Sequence, residues 1–254
     1  MRIAVVIPAY NEAAALPKVL GDLPRDLVWR VIVSDNGSSD GTPDVARAHG
    51  AEVVREARRG YGWACWAGVS AILHECDVIA MLDAGGKEDA TELPMVLQPI
   101  LDDRADFVLG SRVRYAAPGA LTHPQRFGNW LTTQIMARLY GLRDGARVTD
   151  LAPFRAIRSP LLHKLDMQER TFGWPTEMIV KAARAGARIA EVDVHYRPRY
   201  AGKSKVSGTL KGSVKAGVVI LRTAFKYARW EPNSPTPRIR CAPSPVRTGE
   251  GSSY

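Results

Sequence analysis

The stretch VIAMLDAGGKEDATELP, residues 78–94, contains an apolar run, Val78 to Leu82, that ends on a carboxylate, Asp83. A short apolar run bounded by turn residues reads as a buried strand. Two glycines, a lysine and two more acids follow before helical spacing begins after Ala90. In open α/β sheets such a strand end is where a phosphate or a metal is held. Yet Asp83, Gly85 and Lys87 stand at alternate positions where a metal clamp needs acids.

The same plan repeats on either side. RIAVVIPAY is an apolar run stopped by Pro8, and NEAAALPKVLGDL follows with helical spacing. WRVIVSDNGSSDGT reads as a strand over 30–34, a polar loop and a helix from about Thr42. AEVVRE is a third strand, Trp63 to Glu75 a third helix, and ADFVLGSR a fifth strand after the one ending at Asp83. Strand and helix at βαβ spacing predict an α/β fold with a mostly parallel, doubly wound sheet and flanking helices.

The second half changes character. An amphipathic helix is expected over 124–140, around Trp130, Ile135, Met136 and Leu139. A strand follows in DLAPFRAIRS, a helix from about Pro175 to Gly186, and an alternating strand in ARIAEVDVHYRPR. Residues 208–230 are helical, with basic residues on one side and Val218, Val219, Leu221 and Phe225 on the other. Residues 231–254, rich in Pro, Ser, Arg and Gly, read as a disordered tail.

Composition narrows the class of partner. With 46% hydrophobic and 24% charged residues, the 254-residue chain has the makings of a globular core. Lys+Arg 35 against Asp+Glu 26 gives a net charge of +9, which suits nucleotides, phosphorylated lipids or an anionic membrane surface. No RNA- or DNA-binding signature accompanies the charge, so nucleic acid is not expected as a partner. Cys65, Cys76 and Cys241 lack metal-ligand spacing and read as reduced thiols of a cytoplasmic protein. Neither a signal peptide nor a transmembrane helix is expected, because the N-terminal apolar run covers just Ile3 to Ile7.

Polar and acidic groups gather at successive strand ends: Asn11 and Glu12, Asp35 and Asp40, Asp83, then Ser111 and Arg112. In a parallel sheet those ends share one edge. In order and spacing, VVIPAYNE, VSDNGSSDG, RRGYGWACWAG, MLDAGG and VLGSR resemble a family 2 glycosyltransferase of the GT-A fold. RFGNWLTTQIMARLYG, TDLAPFRAIR, FGWPTEMIVKAARAG and AGKSKVSGT resemble its polyprenyl-phosphate branch, in which dolichyl-phosphate mannose synthase is the familiar member. The resemblance spans roughly residues 2–225.

That resemblance implies a transferase domain over 1–207, followed by a packed or membrane-surface helix over 208–230 and the tail over 231–254. The donor would be a nucleoside-diphosphate sugar, and the acceptor a polyprenyl phosphate at the inner membrane face, with inversion at the anomeric carbon. A hydroxyl of a soluble metabolite or glycan is the alternative acceptor. A non-catalytic nucleotide-sugar-binding protein is the alternative from another class. Pro8, Ala9, Tyr10, Glu12 and Ala84 would line the nucleotide-sugar pocket, and Asp35 would accept from the base. Gly60 and Gly62 would admit close backbone approach, and Cys65 in place of a third glycine removes a dinucleotide fingerprint. Arg112 and Arg126 would grip the acceptor phosphate, and Arg199 and Lys205, beside Lys203, the diphosphate.

Asp83 matches the first acid of the family's Asp-x-Asp motif, which holds Mg²⁺ or Mn²⁺, but the second acid is Gly85. Three accounts stay open. Asp83 is expected to hold the metal together with waters and diphosphate oxygens. Glu88 or Asp89 could reach in instead, or Lys87 could supply the positive charge itself. Glu177 matches a family-typical acid, or else pairs structurally with Arg155 or a nearby cation.

Overall fold

The computed structural model describes residues 1–142, 148–201 and 210–232, with no side chains over 210–215. Lys203, Lys205 and the tail from residue 233 lie outside the described residues, as do the side chains of Lys211 and Lys215. Seven strands make one sheet: β1 (Ile3–Ala9), β2 (Arg30–Asp35), β3 (Glu52–Arg55), β4 (Val78–Met81), β5 (Phe107–Ala116), β6 (Arg155–Arg158) and β7 (Ile189–Tyr196). Their order is β3-β2-β1-β4-β6-β5-β7. The expected parallel pairing holds throughout except at β6, which runs antiparallel to both β4 and β5. RAIR carries the apolar signal of a buried strand but nothing that encodes direction.

Helices α1 (Leu16–Gly21), α2 (Thr42–Ala48), α3 (Tyr61–Ser70), α4 (Leu93–Leu101), α5 (His123–Tyr140), α6 (Ser159–Leu165), α7 (Trp174–Arg184) and α8 (Leu210–Lys226) cover the sheet and its edge. β1 is buried along its whole length, as a central parallel strand must be. Alternate residues serve opposite faces: Ile3, Val5 and Ile7 join Leu16, Leu20, Leu93 and Val96, whereas Ala4 and Val6 join Cys65, Val69 and Met178. The two faces therefore carry two separate cores.

α3 stops at Ser70 rather than Glu75 because the chain turns at 71–75 while Ile72 and Leu73 stay buried. Apolar spacing thus outlasts the helix that it first described. α5 begins with a capping box, in which Thr122 Oγ1 accepts from the Gln125 N–H and the Gln125 side chain accepts from the Thr122 N–H. α8 packs against α5 and α7, and the Tyr140 hydroxyl donates to the Ala224 carbonyl. None of the helices among the described residues is long and apolar enough to cross a membrane.

Candidate active site

The parallel strands deliver their carboxyl ends to one cavity of about 1370 Å³. Pro8, Ala9, Tyr10 and Glu12 reach it from β1, Asp83 and Ala84 from β4, and Arg112 from β5. Gly60, Arg126 and Arg199 line it as well. The ends of β1, β4 and β5 that sequence spacing selected therefore share one cavity.

Two expected residues take other positions. Asp35 does not line this cavity; it is buried beside a neighbouring hollow of about 260 Å³ formed with Gly37, Ser38, Arg55, Glu56 and Ala57. Its Oδ1 accepts from the Ser38 N–H at 3.1 Å. Gly62 packs against protein, not against the cavity. A Cβ there would lie 2.5 Å from the Glu169 carbonyl oxygen and 2.6 Å from the Arg170 carbonyl carbon. The close approach that its missing side chain permits is thus to the chain entering α7.

Asp83 is half-buried and accepts from the Tyr61 hydroxyl at 3.2 Å. Burial raises its carboxyl above the ordinary range, and the Tyr61 hydrogen bond, Arg112 and Lys87 oppose the rise. Arg112 is fixed by Asp150, which accepts from its Nε at 2.8 Å and its Nη2 at 2.7 Å. Asp150 is held in turn by Glu191, whose Oε1 accepts from the Asp150 N–H at 3.0 Å. Glu191 also accepts from the Thr149 N–H and hydroxyl. Burial lifts the Glu191 carboxyl to about 7. Asp150 and Glu191 escaped sequence reading because their work is to place another residue, across long stretches of chain.

Arg59 was also missed. Its guanidinium lies 3.5 Å from the Tyr10 ring centroid and donates to the Asn36 carbonyl at 2.6 Å. An arginine beside the Gly60 turn was its visible signal. With Lys87, Arg112, Arg114, Arg126 and Arg199, it gives the cavity six cations against Glu12, Asp83 and Asp193 among the described residues.

The loop after β4 is clasped by the chain leaving β7. The Arg197 N–H donates to the Lys87 carbonyl at 2.8 Å, and Glu88 bridges Tyr196 in antiparallel fashion. Arg199 ion-pairs with Glu12, and its Nε donates to the Ala201 carbonyl at 2.8 Å. A Cβ built at Gly85 would lie 2.7 Å from Arg199 Nη1. The guanidinium therefore fills the space that a side chain at position 85 would take.

The profile of the family described as Glycosyl transferase family 2 matches residues 4–165. This chain belongs to glycosyl transferase family 2. The transferase is 42% identical to an uncharacterized glycosyltransferase of Mycobacterium tuberculosis over 84% of this chain and 94% of that one. An undecaprenyl-phosphate mannosyltransferase of Micrococcus luteus is 34% identical over 91% and 97%. A dolichyl-phosphate hexose transferase of Haloferax volcanii is 36% identical over 88% and 94%. Among solved structures, glucosyl-3-phosphoglycerate synthase from Mycobacterium tuberculosis, in complex with Mn²⁺, uridine diphosphate and phosphoglyceric acid, superposes with a TM-score of 0.71. It shares 24% identity and covers 92% of this chain and 80% of its own. The transferase accordingly has the GT-A fold.

A divalent cation needs oxygen ligands, and the transferase offers few here. Position 85 has no side chain, and Lys87 can only donate. Asp89 caps the turn Ala90–Glu92 by accepting from Thr91 N–H and pairs with Arg197 at 2.7 Å. Glu88 does not line the cavity; both its carboxyl oxygens are buried without a hydrogen-bond partner among the described residues. No group of three or more His, Cys, Asp or Glu among the described residues forms a metal-holding cluster. The side chains around Asp83 do not fit a divalent cation.

Glu88 carries a pH signature. Burial first, and the neighbouring Asp83 charge second, lift its carboxyl to about 8. The unfolded chain releases that proton near the ordinary glutamate value, so the folded state binds the extra proton between the two values. The transferase then loses stability as pH rises from about 4.5 to about 8. Glu88→Gln removes this loss. Urea unfolding should show the variant gaining on the parent as pH rises, by on the order of a few kcal/mol above pH 8. Parallel stability–pH curves for the two proteins would refute it.

Proposed function

We propose that the enzyme transfers a sugar from a nucleoside-diphosphate donor to the phosphate of a polyprenyl phosphate, with inversion at the anomeric carbon. One observation carries this reading: the cavity is polar at one end and apolar at the other. Near the strand ends it is lined by Asp83, Lys87, Arg112 and Arg199; towards α5 and α8 it is lined by Phe127, Trp130, Ile220 and Leu221. On the same helices Phe127 and Trp130 at the cavity rim are 62% and 56% exposed, and Val218 and Phe225 are 60% and 55% exposed. Exposed apolar residues on two packed helices suit an isoprenoid chain entering from a bilayer surface. Peripheral attachment at the cytoplasmic face follows from that reading, with Arg222 and Lys226 of α8 close to anionic headgroups.

The chemistry requires little else. An acceptor phosphate oxygen attacks the anomeric carbon opposite the leaving group. The new C–O bond forms as the bond to the donor's β-phosphate oxygen breaks, and the electron pair leaves with the nucleoside diphosphate. The acceptor is already an anion, so no general base is needed, and positioning with charge stabilisation does the work. Arg112, preset by Asp150, and the exposed Arg126 suit the acceptor phosphate. The hollow at Asp35 suits the base, and Tyr10 with Arg59 stacked on it lines the same cavity as Asp83.

The test presents undecaprenyl phosphate in detergent with UDP-, GDP- and dTDP-sugars in turn. Sugar should appear on the lipid phosphate, as a product labile to mild acid, from one donor class. Transfer to a soluble hydroxyl or to phosphoglycerate, with none to the lipid, would overturn the acceptor assignment.

A further inference from the structure

We infer that two side-chain cations, Lys87 and Arg199, take the place of a divalent metal at the donor diphosphate of this enzyme. The inference rests on the donor reading above and concerns how that donor's charge is balanced.

Arg199 occupies the space of the missing acid. A Cβ at Gly85 would meet Arg199 Nη1 at 2.7 Å and Cζ at 3.1 Å, so an aspartate there would have to displace this guanidinium from its present place. The guanidinium is held from two sides, by Glu12 through Nη2 and by the Ala201 carbonyl through Nε, which leaves Nη1 beside Gly85 at the cavity wall. The backbone keeps the arrangement in register, since the Tyr200 N–H approaches the Gly85 carbonyl at 3.4 Å. Gly86, at φ 64°, lets the loop turn beneath Tyr200. Lys87 then lines the cavity two residues further on, with its ammonium 5.4 Å from the Tyr196 ring centroid.

The acids that could hold a metal are otherwise engaged. Glu12 pairs with Arg199, Asp89 with Arg197, and Glu88 is buried off the cavity. Of the other acids lining the cavity among the described residues, Asp193 pairs with Arg114 at 3.4 Å, and Asp83 stands in the field of Lys87 and Arg112. A dication entering beside fixed cations is repelled, whereas a diphosphate is attracted. Arginine can bind it through paired N–H groups and lysine as a point charge, so both duties of the metal, anchoring the diphosphate and stabilising the departing charge, fall to this pair.

Calorimetric titration of the full chain with UDP and with GDP, in EDTA and then in excess Mg²⁺ or Mn²⁺, tests this directly. The dissociation constant of the nucleotide that binds should agree within about threefold between the two conditions. Lys87→Gln and Arg199→Gln should each weaken it by about 10- to 100-fold in EDTA, the loss of one charge-assisted contact. The triple variant Gly85→Asp, Lys87→Gln, Arg199→Ala, which restores an acid and the room for it, should bind at least about tenfold tighter with Mn²⁺ than without. That last comparison is internal to one protein and is independent of its stability. A parent protein that binds at least tenfold tighter with metal overturns the inference while leaving the donor reading intact. Failure to bind either nucleotide under both conditions overturns the donor reading and this inference with it.

Discussion

Replacing Asp83 with alanine lowers turnover by at least about 100-fold and leaves stability unchanged or raised. The carboxylate stands at the end of β4, accepts from Tyr61, and faces Lys87 and Arg112 across the cavity. Its removal frees Lys87 and the Tyr61 hydroxyl to shift, and a displacement of about 1 Å at a reacting centre costs on the order of 100-fold. Stability behaves in the opposite sense. Because burial raises the Asp83 carboxyl, its charge opposes folding at every pH above the unfolded value. Steady-state rates with thermal melts at pH 7 read both effects. Near-normal turnover would remove Asp83 from the chemistry, and a large drop in melting temperature would make it a structural residue.

Glu177→Ala should do the reverse. Glu177 and Lys181 are both fully buried, with Lys181 Nζ 2.7 Å from Glu177 Oε1. The same carboxylate accepts from the Gln168 N–H at 2.7 Å and the Glu169 N–H at 2.6 Å. Truncation leaves the buried Lys181 ammonium without its counter-charge and two part-buried amides without their acceptor, costing about 3–5 kcal/mol. For a chain of this size that lowers the melting temperature by roughly 6–20 °C. Glu177 does not line the cavity. Below the melting transition kcat should therefore stay within about threefold of the parent; a loss comparable to that of Asp83→Ala would place Glu177 in the chemistry after all.

The sequence reading of Glu177 split between an active-site acid and a structural pair, and the cation turned out to be Lys181, one helical turn away, rather than Arg155. Arg155 is buried too, but it donates to the carbonyls of Leu151, Ala152, Pro153 and Pro175. Local periodicity made β1, β2, β4 and the helices around them legible, because burial on two faces writes itself into consecutive residues. Residues at the strand ends were legible because a parallel sheet sends them all to one edge. Pairings between distant segments were not. Asp150 with Arg112, Glu191 with Asp150, and Arg199 with Gly85 are set by the antiparallel placement of β6 and by the return of the chain after β7. No spacing in the primary structure records either. Asp35 was legible as a strand-end acid, though not the wall of atoms that puts it in its own hollow.

The shared space of Gly85 and Arg199 also constrains how this loop can change. Aspartate at 85 alone would displace a guanidinium tied to Glu12, and loss of Arg199 alone would take one ion pair from Glu12 and one cation from the cavity. A side chain at 85 and the guanidinium of Arg199 compete for one space, so a change at either position alters what the other can hold. Substitutions at 85 and 199 are therefore expected to be non-additive, because each sets the room and the charge that the other meets.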